Sequence, residues 1–402
     1  MLNRLLATTF IASVFSFSYH ASAQDATFAQ CLDSLTTKAE QQGVTESTRA
    51  LIPTFAFQSR VIELDRNQPE FVQTFPAYFS KRVNDWRINK GRQMLAKHKA
   101  FLAELTAKYG VPGHYLVAFW GLETNYGGYK GTMPTLDSLA TLACDARRKT
   151  FFTNELMLAL KLVDREKLNP DNMKGSWAGA MGHTQFMPST YTQYAIDGDQ
   201  DGTIDLWNSE QDALASAANF LARLGWQAGS RWGREVSLPD DFDYALAGRK
   251  HKRSLTEWAQ LGVADANGNA LPESTLVATL RVPSGHQGPV FVTYPNFRII
   301  MRWNNSEFYA IAVGQLADQI IHGPGLVAPL PELAPLSRQV VKVIQQQLNQ
   351  LGFDVGFADG IMGPATRAGI RAYQAQYNLV ADGFPSDALV EHLSNTTETP
   401  AE

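Results

Sequence analysis

Residues 111 to 131 read VPGHYLVAFWGLETNYGGYKG, and Glu123 is the only carboxylate among them. An almost wholly apolar run precedes it and a glycine-rich turn follows. Apolar surroundings disfavour the charged carboxylate and raise its pKa. The negative end of a helix dipole acts in the same sense, and Glu123 stands near an expected helix C-terminus. A carboxyl that is protonated near neutral pH can act as a general acid. Cleavage of a glycosidic bond needs such an acid, because the leaving oxygen must be protonated. The glycines of NYGGYKG leave room for a bulky ligand beside the backbone. The same spacing also fits a glutamate that caps or pairs at a helix end.

A second stretch, GSWAGAMGHTQFMPSTY at 175–191, is rich in glycine and carries Ser176 and Gln185 among aromatics. Small residues with hydroxyl and amide groups suit a groove that holds a sugar chain. A tight helix–helix contact through Gly179, Ala180 and Gly182 fits the pattern too. A third, DGDQDGTIDLWN at 197–208, places Asp197, Asp199 and Asp201 at positions 1, 3 and 5 of a calcium loop, with Gly202 at 6 and Asp205 at 9. Position 12 calls for a bidentate glutamate and holds Asn208 instead. A calcium loop and an ion-free Asp/Gly turn both remain open.

The chain has 402 residues, enough for two or three domains, and its net charge of -4 gives no basic surplus for nucleic acid. The opening MLNRLLATTFIASVFSFSYHASAQDA has one arginine, an apolar run and the pattern Ala21-Ser22-Ala23, so it reads as an export signal cleaved after Ala23. No later stretch is long and apolar enough to cross a bilayer. Cys31 and Cys144 are the 2 cysteines. In an exported chain an even pair suggests one disulfide, with two separate buried thiols as the alternative. The residues before Cys31 fit a lipid-anchor signal poorly. Neither His-x-x-x-His nor Cys-x-x-Cys spacing occurs, which argues against a zinc enzyme.

These residues must be positioned by helices. Apolar residues at three- and four-residue steps predict one helix over 85–109, stopped by Gly110. A second, over 114–123, is apolar all round and so expected to be buried. Further helices are expected over 146–168, over 209–226 with Ser209 as N-cap, and over 305–320. The segments 274–283 and 288–304 are β-branched and aromatic with rough alternation and read as short strands. The first large unit is therefore α+β and mainly helical. A Pro/Gly-rich linker follows at 322–336. A small helical unit spans 337–394, where ADGIMGPAT and ADGFPSDAL look like two versions of one turn-plus-helix element. The polar tail 395–402 is expected to be disordered.

GLETNYG together with GSWAGAMGHTQFMPSTY resembles the B family of lytic murein transglycosylases, and the match continues through DGDQDGTIDLWNSEQDALASAANFLARLGW and RWNNSEFYAIAVGQLAD. It covers nearly all of residues 24–321. The resemblance implies a lysozyme-like catalytic domain that cuts the β-1,4 bond between N-acetylmuramic acid and N-acetylglucosamine without water. The muramyl C6 hydroxyl attacks C1 and closes a 1,6-anhydro ring. Glu123 would be the acid and then the base, with the substrate's N-acetyl group in the role of a second carboxylate. Ser176, Gln185 and Asn219 match residues that contact the sugar, and Trp303 and Tyr309 match a pair of groove aromatics. Phe220 stands where the family often has tyrosine, and Trp303 replaces a tyrosine of some members. No cofactor is implied for catalysis. A structural calcium is implied in some members, with a later aspartate closing the site. Asp212 suits that role, and equally suits the N3 position of a Ser209 cap. The segment 337–394 resembles a three-helix peptidoglycan-binding domain.

The expectation is a soluble periplasmic enzyme acting on peptidoglycan glycan strands. A hydrolytic muramidase would need a second carboxylate facing Glu123, for which Asp137 is a candidate. A non-catalytic wall-binding scaffold is the third reading, and the intact acid argues against it.

Overall fold

The computed structural model describes residues 16–66 and 73–398, so most of the export segment expected at 1–23 and the last residues of the tail lie outside it. Two units divide the chain, one drawn from residues 1–67 and 130–193, the other from 68–129 and 194–402.

The second unit is built around one helix. Gly113–Thr124 is apolar on every side because helices Asp85–Lys97, Lys99–Tyr109, Glu210–Arg223 and Glu307–Ile320 all pack on it. Its residues from Tyr115 to Leu122 are buried. The expected helix over 85–109 is in fact two helices, which meet at His98 with φ -103° and ψ 18°. The His98 ring stands edge-on to Trp120, and its Nε2 lies 2.8 Å from Glu210 Oε2. These contacts hold the break in place.

A five-stranded antiparallel sheet joins this unit, with strands in the order Arg253–Ser254, Val277–Arg281, Val290–Thr293, Gly233–Ser237, Ala264–Asp265. The strand expected over 288–304 ends early. Pro295–Trp303 is a helix, with Pro295 in its first turn and Phe297, Ile300 and Met301 buried on one face. Proline supplies a preset helical φ there, and the three apolar residues share the core-facing stripe. Hydrophobic alternation over so short a run did not separate the two structures.

The linker is pinned. Glu235 accepts from the backbone N–H groups of Val327 and Ala328, each at 2.8 Å. The three helices beyond it, Arg338–Gln350, Pro364–Gln376 and Asp387–Glu398, enclose Ile344, Leu348, Ile370, Tyr373, Leu389 and Leu393. The last helix carries ordered structure through 395–398, where a disordered tail was expected. Thr396 Oγ1 donates to His392 O at 2.8 Å and meets the Tyr373 hydroxyl at 3.0 Å, which fastens that turn to the core.

In the first unit, helices Thr135–Cys144 and Lys149–Glu166 pack as a pair. Cys31 and Cys144 form the expected disulfide and tie the first helix to this pair. A two-stranded ribbon pairs Met133–Pro134 with Lys174–Gly175. Gly131, at φ +92°, lies so close to the ribbon that a Cβ would fall 2.0 Å from Gly175 O.

Candidate active site

Glu123 occupies the last turn of the buried helix. The turn beyond it is held in an unusual shape, with Asn125 at φ 51° and Tyr126 at φ 60°. Two consecutive non-glycine residues in the left-handed region are costly and persist only where their surroundings impose them. Arg87 supplies the constraint. Its Nε donates to Gly121 O at 3.1 Å, one terminal nitrogen donates to Lys81 O at 3.1 Å and Arg82 O at 2.5 Å, and the other to Asn125 Oδ1 at 2.5 Å. The guanidinium thus sits at the carbonyl ends of two helices, where positive charge is favoured. Tyr126 returns the contact by donating its hydroxyl to Arg87 O at 2.6 Å. Gly121 must lack a side chain, because a Cβ would stand 2.6 Å from the Tyr126 ring. Burial draws the Arg87 guanidinium below its ordinary pKa, with Arg82 acting in the same direction.

The carboxyl of Glu123 accepts a 2.5 Å hydrogen bond from the Tyr309 hydroxyl. The Trp303 side chain gives it a second hydrogen bond, and Arg82 lies within electrostatic reach. Burial pushes the carboxyl up to about 7, against the opposing pull of those three groups. Among the described residues, the groups acting on Glu123 are therefore two neutral donors and a cation. Tyr309 is itself buried, and both burial and Glu123 raise its phenol well above the ordinary range.

Aromatic packing sets these donors. Trp303 stacks on Phe119 with ring centroids 4.3 Å apart and planes at 27°. Phe220 leans on Trp303 at 5.3 Å and on Tyr194 at 4.7 Å. The ring of Phe220 thus serves packing. Asn219 donates to Tyr194 O at 2.8 Å from the same helix.

Glu123, Trp303, Tyr309 and Asn219 all belong to the second unit. Ser176 and Gln185 belong to the first. Ser176 Oγ accepts from Ala180 N at 3.1 Å, inside a turn that packs glycine against Leu139. Gln185, at φ 49°, donates from Nε2 to Gly182 O at 2.9 Å and Lys130 O at 3.0 Å. Asp137, the candidate second carboxylate, is also in the first unit and accepts from Ala56 N at 2.8 Å.

In the acidic loop, oxygens of Asp197, Asp199 and Asp212 gather within 4.8 Å of one another. Asp201 does not join them. Its Oδ1 accepts from Thr203 N at 2.8 Å and Thr203 Oγ1 at 2.7 Å. Asp212 is both a helix N3 residue under the Ser209 cap and the buried member of the cluster, accepting from Gly198 N and Asp205 N at 2.7 Å each. Burial, with Asp199 alongside, holds the Asp212 carboxyl above its ordinary range despite those two bonds. Three carboxylates converging on one point suit a hard cation with oxygen ligands.

Sequence reasoning missed Arg87, Arg82 and Phe119. An arginine in an amphipathic helix gives no sign of turning inward, and Phe119 was one apolar residue among many.

The chain matches the Transglycosylase SLT domain family over residues 27–318 and a peptidoglycan binding domain over 337–393. It is similar to membrane-bound lytic murein transglycosylase B of Escherichia coli (strain K12), 38% identical over 249 residues. That match takes in 60% of this chain and 66% of the relative. Among solved structures it resembles SltB3 from Pseudomonas aeruginosa in complex with NAG-anhNAM-pentapeptide. The TM-score is 0.88 and the identity 42%, covering 91% of this chain and 99% of that one. It also resembles the lytic transglycosylase Slt35 of Escherichia coli in complex with calcium, with TM-score 0.64 and 30% identity over 72% of this chain and 92% of that one.

Proposed function

Because the chain belongs to the B family of lytic transglycosylases, with a transglycosylase SLT domain and a C-terminal peptidoglycan-binding domain, we propose that it cuts peptidoglycan between N-acetylmuramic acid and N-acetylglucosamine and leaves a 1,6-anhydromuramyl end. The observation that carries this reading is the environment of Glu123: burial raises the carboxyl to about 7, and among the described residues the groups acting on it are Tyr309, Arg82 and Trp303. A substantial share of such an acid still carries its proton at neutral pH, and it can give that proton to the leaving glycosidic oxygen. A hydrolase of the usual design needs a second carboxylate nearby.

In the first half of the reaction the C1–O bond breaks and the Glu123 proton goes to the departing N-acetylglucosamine oxygen. The substrate N-acetyl group bears the charge that develops at C1. In the second half the Glu123 carboxylate takes the proton of the muramyl C6 hydroxyl, and O6 bonds to C1. The acid is thereby reset and no water is consumed. Tyr309 and the Trp303 side chain steady the carboxylate between the two halves. By their match to the family's motifs, Trp303, Tyr309 and Asn219 of the second unit are assigned to sugar contacts, and so are Ser176 and Gln185 of the first.

A calcium ion would be held by Asp197, Asp199 and Asp212, and its role would be to stiffen the loop ahead of helix Glu210–Arg223. It takes no part in the chemistry. Residues 1–23 would direct export, and the site of action would be the periplasm, with glycan strands as partner. Among the described residues no helix is long and apolar enough to cross a membrane.

Mass spectrometry of the soluble products from purified sacculi tests the reaction, with wild type beside Glu123→Gln. Anhydro-terminated muropeptides from wild type alone are expected. Reducing ends formed with water would turn the reading to a muramidase. No release by either protein, with sacculus binding intact, would turn it to a scaffold.

A further inference from the structure

The C-terminal helical unit is an internal duplication, and its two copies are used differently. In the first copy Gln345 Oε1 accepts from Gly360 N at 2.8 Å, and Gln345 Nε2 donates to Asp359 Oδ1 at 3.0 Å. In the second, Gln374 Oε1 accepts from Gly383 N at 2.8 Å, and Gln374 Nε2 donates to Asp382 Oδ1 at 2.9 Å. Each aspartate Oδ1 also accepts the backbone N–H two residues on, from Ile361 or Phe384, at 2.8 Å. Both glycines sit in the left-handed region, at φ 76° and 71°. Arg338 and Lys342 precede Gln345 at the same steps by which Arg367 and Arg371 precede Gln374. Each copy therefore presents two cations beside an Asp-Gly turn.

The second copy is occupied by a piece of this same chain. Asp382 Oδ2 accepts from the backbone N–H of His286 at 2.9 Å and lies 2.7 Å from His286 Nδ1. Gly285 allows the approach, since a Cβ there would come 2.8 Å from Asp382 Oδ2. The carboxylate of Glu307 lies within electrostatic reach of Arg367. The face thus binds a peptide main-chain N–H and a nitrogen base through its aspartate, and its arginine lies within electrostatic reach of a carboxylate. Among the described residues no loop does the same at Asp359. Arg338, Lys342 and Asp359 are exposed around a concavity of about 560 Å³, and Phe357 beside them is 86% exposed.

We propose that this open face of the first copy, Arg338, Lys342, Asp359 and Phe357, is a docking site for the peptide stems of peptidoglycan. A stem offers main-chain N–H groups and an amine to the Asp359 carboxylate, free carboxylates to the two cations, and aliphatic side chains to the Phe357 ring. The occupied copy supplies the template, and that template is peptide and not sugar. The proposal rests on the peptidoglycan reading above.

Calorimetric titration of the full-length protein with the free pentapeptide stem, carrying no sugar, tests it. Lys342→Glu and Asp359→Asn are each expected to weaken binding at least tenfold with no change in melting temperature. Asparagine retains the Oδ1 acceptor of the turn, and Phe357→Ala alters a ring that lies outside the core, so these variants keep the fold. Equal affinity in wild type and all three variants would overturn the proposal. So would no binding by wild type at millimolar peptide. Retention on peptide-stripped glycan strands that disappears in Lys342→Glu would reassign the face to sugar and overturn it as well. Product analysis of the wild type is independent. Anhydro products without peptide binding would sink only the docking site, and peptide binding without anhydro products would sink only the catalytic reading.

Discussion

Tyr309 donates its hydroxyl to Glu123 Oε1 at 2.5 Å although 186 positions of sequence separate them. The bond favours the carboxylate, so it opposes the burial that raises the acid. In Tyr309→Phe the Glu123 carboxyl is expected to rise above its present value of about 7. The alkaline limb of the kcat profile should move up with it. Turnover should fall by about 10–100-fold, since the carboxylate must also act as a base. A limb that stayed in place would show that the bond does not act on the titrating form.

The same raised acid links stability to pH. A carboxyl at about 7 in the folded state, against an ordinary value of 4.5, keeps its proton in the native form across most of that window. The native state then binds more protons than the unfolded chain, and stability falls as pH rises from about 4.5 to about 7. Glu123→Gln removes this loss. It should be more stable than wild type at pH 8, by up to ~3 kcal/mol, with the advantage shrinking toward pH 4. Melting curves of both proteins across that range provide the check; a constant difference would count against a protonated native acid.

Arg87 holds the turn that aims Glu123. Arg87→Lys keeps the charge but cannot reach Gly121 O, Lys81 O, Arg82 O and Asn125 Oδ1 together. A kcat loss of about 10-fold with KM unchanged is expected, in keeping with the cost of small misplacement. Gly121→Ala should be destabilised by about 1–3 kcal/mol, because its methyl group meets the Tyr126 ring. Steady-state kinetics and denaturant titration distinguish the two effects.

If the aspartate cluster takes calcium, millimolar calcium should raise the melting temperature of wild type and chelator should reverse it. Asp199→Ala should lose that response, while Asp201→Ala should keep most of it because Asp201 is turned toward Thr203. Equal responses from both variants would remove the assignment.

Cys31 and Cys144 close a separation of 113 residues. A loop of that length corresponds to about 4–5 kcal/mol in the chain-entropy account. Cys31→Ser with Cys144→Ser should therefore lower stability by roughly that amount, read by urea unfolding under oxidising conditions. An unchanged midpoint would argue against stabilisation by this crosslink.

Much of this protein was legible in one dimension. The apolar run around Glu123 announced a buried helix with one acid in it, because burial and helix period are local properties of a sequence. The Ser209 cap and the helices of the C-terminal unit were readable for the same reason, and the paired cysteines from their even number in a chain expected to be exported. Other features needed the fold. Pro295–Trp303 read as a strand because its aromatic and β-branched residues alternate, and only the core it faces makes it a helix. The break at His98 depends on Glu210 and Trp120, which a helical period over 85–109 does not contain. Arg87 takes its role from two helix ends that turn their carbonyls toward it, and neither end can be read from its own segment. The carboxyl at 123 is set near neutral pH by burial against Tyr309, Trp303 and Arg82, and no local pattern encodes a balance among groups so far apart in the chain. The sequence alone determined which residue types were available and where most of the helices would form. Tertiary packing decided which of them meet, because desolvation and hydrogen bonding depend on distance in space and not on position along the chain.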